Sequence, residues 1–426
     1  MPSPDRSSRT AASILRSPEA WYFTSKVVPG AFGLLAVLLL VRILGEAQYG
    51  VYSLYFAAAV FSSNLLSGWI KQALLRSSGR QREADLPRTI RLGTALGSAP
   101  LVAAIGIGAG VSGDALTAMA AGCLLAVALS HQSVVLGDVQ SASLPKEYAR
   151  LEAIRAAIGT ILGIALCVIL PSAWVVLMAL AAAAAVASRP RAAARAKHHR
   201  PLTTDQVREW WAFGWPMALW MSASTALQFF DRFVVAHISG IDAAGYYSAL
   251  NDLVTRGTAM IIFPFILASH PKIMAAFNNS GERAAAVECR VAARRLTAAS
   301  VAVIVVGAAL SPFATAVAGL APQRNDALST FLLLLGSVLW QVALLVHKPL
   351  EIARRTKAMM GRLVVTVLVT LGLTVPLVAL LGPLGAAVTS ATGPALYLLL
   401  CVPRWRAFLK GSDHEEHPRD LRELPQ

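Results

Sequence analysis

Twelve apolar blocks, each about as long as a helix needs to cross a hydrocarbon core, follow one another with short polar connections between them. They lie near 22–44, 49–71, 89–111, 114–136, 149–170 and 172–188, then near 210–238, 244–268, 289–310, 327–347, 359–381 and 383–402. Backbone N–H and C=O groups find no water inside a bilayer, so each block is expected to satisfy them as a helix. Only 14% of the residues are charged, against about 25% in soluble domains. That fraction is too small to coat a water-facing surface on a chain of this size, which excludes a soluble enzyme.

The connections sort by charge. One side holds Arg6, Arg9 and Arg16, then Lys71 to Arg91, Lys146 to Arg155, Arg189 to Arg208, Lys272 to Arg295, Lys348 to Arg362 and Arg404 to Arg422. The other holds Glu46, Asp114, Pro171-Ser172, Asp242, Arg324 with Asp326, and Gly382-Pro383. Basic residues stay on the cytoplasmic side during insertion, so both termini are expected to face the cytoplasm. The net charge of +15 is explained by this rule and by anionic lipid, with no nucleic-acid partner. The longest polar break, Ser188 to Arg208, leaves six spans on either side. The expected organisation is therefore a bundle over 1–188, a basic linker over 189–208, a second bundle over 209–403 and a polar tail over 404–426.

A repeat crosses that divide. Gly45, Gly50, Tyr52 and Ser53 form the pattern G-x4-G-x-Y-S, and Gly240, Gly245, Tyr247 and Ser248 repeat it in the first outer loop of the second half. Glycines suit a tight non-helical turn, and tyrosine suits the membrane–water interface. Six is even, so both halves start on the same side and the repeat is parallel. Such repeats rock about an axis along the membrane normal around a site near the midplane.

Several apparent motifs fail on context. The glycines at 108, 110 and 113 fit GxGxxG but end an apolar helix with no preceding strand. His414 and His417 are three apart in a polar tail, which is not HExxH. There is no phosphate-binding loop of the Walker type, and the four cysteines (Cys123, Cys167, Cys289, Cys401) are isolated, so neither ATP hydrolysis, a disulfide framework nor a metal site is expected.

The stretch Arg42 to Phe61 resembles the first hairpin of the polysaccharide-transporter family, flippases for lipid-linked O-antigen and exopolysaccharide units. Phe229 to Leu250 is similar to that family's Asp-Arg-hydrophobic run followed by G-x4-G-x-Y, and Leu381 to Ser390 to its late G-x-x-G-A-A motif. Gly137 to Arg150 departs from the family's L-Q-A-x-G-R, keeping Gln140 alone. The resemblance implies an all-α, MATE-like fold of about twelve transmembrane helices, within the superfamily of multidrug, oligosaccharidyl-lipid and polysaccharide exporters. It also implies a bacterial inner-membrane location, an isoprenoid-linked anionic glycolipid as cargo, contact with membrane lipids and with glycan-synthesis proteins, and no enzymatic activity.

Ionisable groups within spans are costly and face a cavity or one another. Asp231 and Arg232 fall in span seven, Asp252 and Arg256 in span eight. A rise of about 1.5 Å per residue from the outer loop puts Arg256 near the midplane. Asp252 and Arg256, four apart, share a helix face and can pair. Two readings stay open: an internal ion pair that fixes registry, or arginines that meet a diphosphate through bidentate hydrogen bonds. In the second, Asp231 or Asp252 would take H+ or Na+ in a coupled cycle, with no other cofactor. Asn64, Ser67 and Lys71 share a face of span two that would extend the path, although Lys71 also suits an end-of-helix snorkelling role. Pro29 with Gly30 and Gly33 in span one, and Pro216 in span seven, allow bends. The expected function is an alternating-access flippase. The alternatives are a cation-coupled exporter of drugs or metabolites, a membrane glycan polymerase or transferase, and a non-transporting scaffold.

Overall fold

The computed structural model describes residues 18–76, 84–85, 87–108, 115–189, 200–323, 325–353 and 355–414. Arg6, Arg9 and Arg16, residues 77–83, the connection over 109–114, residues 190–199 of the linker, Arg324 and the tail beyond His414 lie outside them.

Long helices account for nearly all of the described chain. Pro18–Arg76 is one helical stretch broken at Gly45 (φ 74°, ψ 171°), giving α1 (18–44) and α2 (46–76). Then come α3 (Arg88–Gly108), α4 (Ala115–Ser141), α5 (Pro145–Ile169), α6 (Ala173–Ala187) and α7 (Thr204–Ser239). Ile241–Ala318 breaks at Gly281 (φ 78°, ψ −168°) into α8 (241–280) and α9 (282–318). The chain continues with α10 (Asp326–Val346), a five-residue helix Lys348–Ile352, α11 (Thr356–Leu381) and α12 (Pro383–His414). Among the described residues, eight helical stretches are long and apolar enough to cross a membrane, and two of these, Phe23–Arg76 and Ser269–Ala318, run for 54 and 50 residues across the breaks at Gly45 and Gly281.

The expected spans fall on these helices, but several helices outrun them. The polar connection expected between spans eight and nine is helical up to the single break at Gly281, because Ile273, Ala285, Ala286 and Cys289 bury one face of the extension. Helix α7 starts at Thr204, inside the expected linker, where the Thr203 hydroxyl and the Gln206 side chain form a reciprocal capping box. Helix α12 runs into the expected tail as far as His414. Hydropathy marks where a helix leaves the bilayer, and the backbone hydrogen-bond ladder continues beyond that point. Helical backbone also persists through Pro29 and Pro216. One strand pair went unforeseen: β1 (Ala84–Asp85) runs parallel to β2 (Arg200–Pro201) and ties the segment after α2 to the segment before α7.

The repeat controls how the two sets of six helices meet. Its first glycines, Gly45 and Gly240 (φ 93°, ψ 167°), adopt the same left-handed backbone and turn the chain between consecutive helices. Its second glycines face each other. A Cβ on Gly50 would lie 2.5 Å from the Ile241 carbonyl oxygen, and one on Gly245 would lie 1.8 Å from that of Glu46. Only hydrogen fits at either position, so the halves touch backbone to backbone at this turn end. At the opposite, basic end α2 lies on α7: a Cβ on Gly214 would sit 2.3 Å from the Trp69 carbonyl oxygen, and the Trp69 and Trp211 rings meet edge to face at 5.1 Å. Contact between the sets runs mainly from α1 and α2 to α7 and to the stretch Ile241–Ala318 that holds α8 and α9.

Candidate functional site

A cavity of about 280 Å³ lies on this seam, walled by Phe56 and Val60 of α2, Gln228, Phe229 and Arg232 of α7, and Asp252, Thr255 and Arg256 of α8. Its nearest lining residues on α2 and α8, Phe56 and Asp252, follow the contact glycines Gly50 and Gly245 by six and seven residues. Ligand pockets usually span about 300–1,000 Å³. The chamber is therefore small, and a large head group requires the halves to part.

A bonded ionic cluster runs from the chamber wall towards the glycine contact. Arg232 is 2% exposed and donates from Nη2 to Asp252 Oδ1 at 2.5 Å and from Nη1 to Ser53 Oγ at 2.6 Å. Its guanidinium carbon stands 4.7 Å from the centre of the Phe229 ring. The second oxygen of Asp252 accepts from Tyr49 Oη at 2.7 Å. Two of these contacts, from Tyr49 and to Ser53, cross between the halves. Leaving either partner of such a pair alone in a dry site is expensive, so the cluster fastens the turn end shut.

The expected pairing of Asp252 with Arg256 is corrected by this geometry. Both carboxylate oxygens of Asp252 are occupied from other helices, and Arg256, one turn further on, reaches towards α1. Its Nη1 lies where a Cβ on Gly33 would come within 2.4 Å. Gly33 thus makes room for a guanidinium. Arg256 is half-buried on the chamber wall, its Nε lacks an acceptor, and no salt bridge to it occurs among the described residues.

The remaining site residues lie apart from the chamber. Asp231 accepts hydrogen bonds from Tyr247 Oη and from Ser390 Oγ, the latter at 2.7 Å. It borders a separate cavity of about 10 Å³, roughly one water in size, with Thr370, Thr374, Thr389 and Ser390. Asn64 does not line the chamber: its Nδ2 donates across the seam to Thr225 Oγ1 at 2.9 Å. Lys71 does not line it either, since its Cα and Cγ lie against Gly137 of α4, and the Ser67 hydroxyl returns to its own helix at the Ser63 carbonyl. Sequence reasoning missed Tyr49, Phe56, Gln228, Phe229 and Thr255. Comparing the halves position by position would have pointed to α7 and α8, because Gln228, Arg232, Asp252, Thr255 and Arg256 match Gly33, Val37, Ala57, Val60 and Phe61 of the first half.

Helices in two sets of six, related by a parallel repeat and enclosing a chamber between them, define a multi-pass membrane protein of MATE-like fold. Solved structures agree. The chain matches "Lipid II flippase MurJ, inward closed conformation" with a TM-score of 0.68 and 12% identity, over 92% of this chain and 90% of that one. It matches a multidrug resistance MATE family transporter of the MOP superfamily in its inward-facing conformation with a TM-score of 0.57 and 15% identity, over 94% and 96%. The outward-facing conformation gives 0.59 and 13%, over 96% and 100%. No curated protein sequence matches the chain significantly. The model of the family described as "Polysaccharide biosynthesis protein" matches residues 19–277, and the chain belongs to that family.

Proposed function

We propose that the protein is a flippase that moves an isoprenoid-diphosphate-linked oligosaccharide across a bacterial inner membrane, without enzymatic chemistry of its own. The observation that carries this reading is Arg256, a cation near mid-span on the wall of the chamber between the halves, with no salt bridge to it among the described residues. A guanidinium left open in a low-dielectric cleft favours an anion, and its planar fork fits a diphosphate. Family membership and the likeness to a lipid II flippase support the same class of cargo. Arg232 has a different part in this scheme: bonded to Asp252 and Ser53, it latches the turn end while the head group enters from the basic end, which we assign to the cytoplasm together with both termini. The bundles over 1–188 and 209–403 rock about the glycine contact, joined by the linker over 189–208. Asn64 lies on the α2–α7 seam and Lys71 near its basic end, where they would meet the head group only after the seam opens.

Ion coupling, by H+ or Na+, is assigned to Asp231 in preference to Asp252. Asp252 is already neutralised by Arg232, whereas Asp231 is held by hydroxyls beside a water-sized cavity. This feature also favours the second reading, a cation-coupled exporter of drugs or metabolites. Flipping of a labelled lipid-linked sugar in proteoliposomes separates the two. Arg256→Gln should slow flipping at least about tenfold, as expected for a lost charge-assisted contact, and Asp231→Asn should remove any dependence on the ion gradient. Unchanged flipping in Arg256→Gln would sink the diphosphate role. Unchanged ion dependence in Asp231→Asn would sink the coupling role.

A further inference from the structure

The chamber has a neighbour of opposite character. A second cavity, of about 100 Å³, opens into the interior of the second half and shares Gln228 and Thr255 with the chamber. Its wall carries no charged side chain. Its polar lining consists of amides (Gln228, Asn251, Gln341), hydroxyls (Thr255, Ser337, Ser390) and the indole of Trp340, and aliphatic side chains cover the rest. The helices present these groups in register. Asn251 and Thr255 stand one turn apart on α8, and Ser337 and Gln341 one turn apart on α10. Thr255 Oγ1 donates to Asn251 Oδ1 at 2.9 Å and lies 3.3 Å from Ser337 Oγ, which orders the wall. Gln341 is 7% exposed, and its Oε1 meets no donor among the described residues. A buried acceptor without a partner is costly unless something that enters the cavity supplies the donor. Trp340 is held in place by stacking on Trp220 (centroids 6.4 Å, 23°) and by the Tyr397 ring at 5.9 Å.

Neutral donors and acceptors around a fixed indole suit a ligand with hydroxyls on its edge and C–H groups on its faces. A pyranose ring has that distribution. A lipophilic cation does not suit the site, because no carboxylate lines the wall. The placement fits as well. In a diphosphate-linked glycan the first sugar is bonded directly to the phosphate, and here the uncharged cavity adjoins the chamber that holds Arg256.

We infer that the cavity between α7, α8 and α10 is a subsite for the first, uncharged sugar ring of the cargo, read by Asn251, Gln341, Ser337 and Trp340 while Arg256 holds the diphosphate. The inference rests on the flippase reading above and deepens it by naming where the glycan is recognised.

The test is equilibrium binding to the purified full-length protein in nanodiscs, with two kinds of probe: undecaprenyl diphosphate alone, and the same lipid bearing one glucose or one N-acetylglucosamine. The wild type should bind at least one sugar-bearing lipid about tenfold tighter than the bare diphosphate, the yield of a few neutral hydrogen bonds. Asn251→Ala and Gln341→Ala should each remove most of that difference and leave affinity for the bare diphosphate unchanged. Ser337→Leu, which fills the cavity, should abolish the difference. Arg256→Gln should weaken all probes by the same factor. Elution volume and melting temperature identify any variant that fails to fold, and the three substitutions at separate positions keep the test decisive. Equal wild-type affinity for bare and sugar-bearing lipids, or a loss in the cavity variants that affects all probes alike, would overturn the sugar subsite. In either case, continued dependence of diphosphate binding on Arg256 would leave the flippase reading intact. If the bare diphosphate does not bind, or binds without regard to Arg256, that reading falls and the subsite falls with it.

Discussion

The two halves share a scaffold and differ in charge. Both turn at a left-handed glycine, Gly45 or Gly240, and both follow it with a second glycine at the interface and a buried tyrosine–serine pair. The offset that carries Gly45 onto Gly240 also carries Ala36, Val37, Ala57 and Phe61 onto Asp231, Arg232, Asp252 and Arg256. The first half thus builds the same helix pair from apolar residues, with Val37 and Ala57 each 2% exposed. The fold needs the glycines and does not need the ions. The ionisable residues therefore mark the difference between the two halves, and the function proposed above is assigned to that difference.

Three sets of substitutions would break or sharpen that contrast. The largest effect is expected at Arg232. Arg232→Ala strands Asp252 in a dry contact and should cost about 3–5 kcal/mol, seen as a large drop in melting temperature in detergent. Val37→Ala, at the matching position, should cost well under half of that, and the double change Arg232→Leu with Asp252→Leu should recover most of the loss. Equal drops for Arg232→Ala and Val37→Ala would mean that the cluster is not structural. Next comes Gly245→Ala, whose new methyl has no room beside Glu46. It should cost about 1–3 kcal/mol and pry the turn end open. Raised labelling of a cysteine introduced at Val51, which takes no part in the ionic cluster, by a membrane-impermeant thiol reagent would report the opening, and Gly50→Ala should act in the same way. The smallest effect is expected at Asn64. Its replacement by Ala removes one bond to Thr225 and should cost about 1 kcal/mol, with looser contact along the α2–α7 seam. Gly257→Ala, on α8 with nothing within 4 Å of the added methyl, is the baseline for both glycine tests and should change little.

Much of the architecture is legible in the sequence, because apolar length and alternating loop charge are local signals. The repeat could be read as well, since its glycines are demanded by backbone geometry at two turns. The site was legible only in part. Ionisable residues stand out against apolar helices, which is how Asp231, Arg232, Asp252 and Arg256 are found. Their partners do not. Spacing along one helix suggests that Asp252 meets Arg256, whereas the carboxylate is taken by Arg232 from α7 and Tyr49 from α2, residues brought together only by tertiary packing. Asn64 and Lys71 lie off the chamber wall for a similar reason. Helical phase puts them on one stripe, but α2 runs between α7 and α4, so the first meets Thr225 and the second Gly137.

Helix α6 bears on the surrounding lipid. Its 15 residues rise about 22 Å as α-helix, well short of a hydrocarbon layer about 30 Å thick. Most of its surface is buried, but Met178, Ala182, Ala185 and Val186 form an exposed stripe along one side. Acyl chains that wet this stripe must compress to match it, at a modest cost per ångström of mismatch. The expected consequence is a local thinning of the bilayer beside the first half, which in the lipid-moving role proposed above would shorten the path between the leaflets.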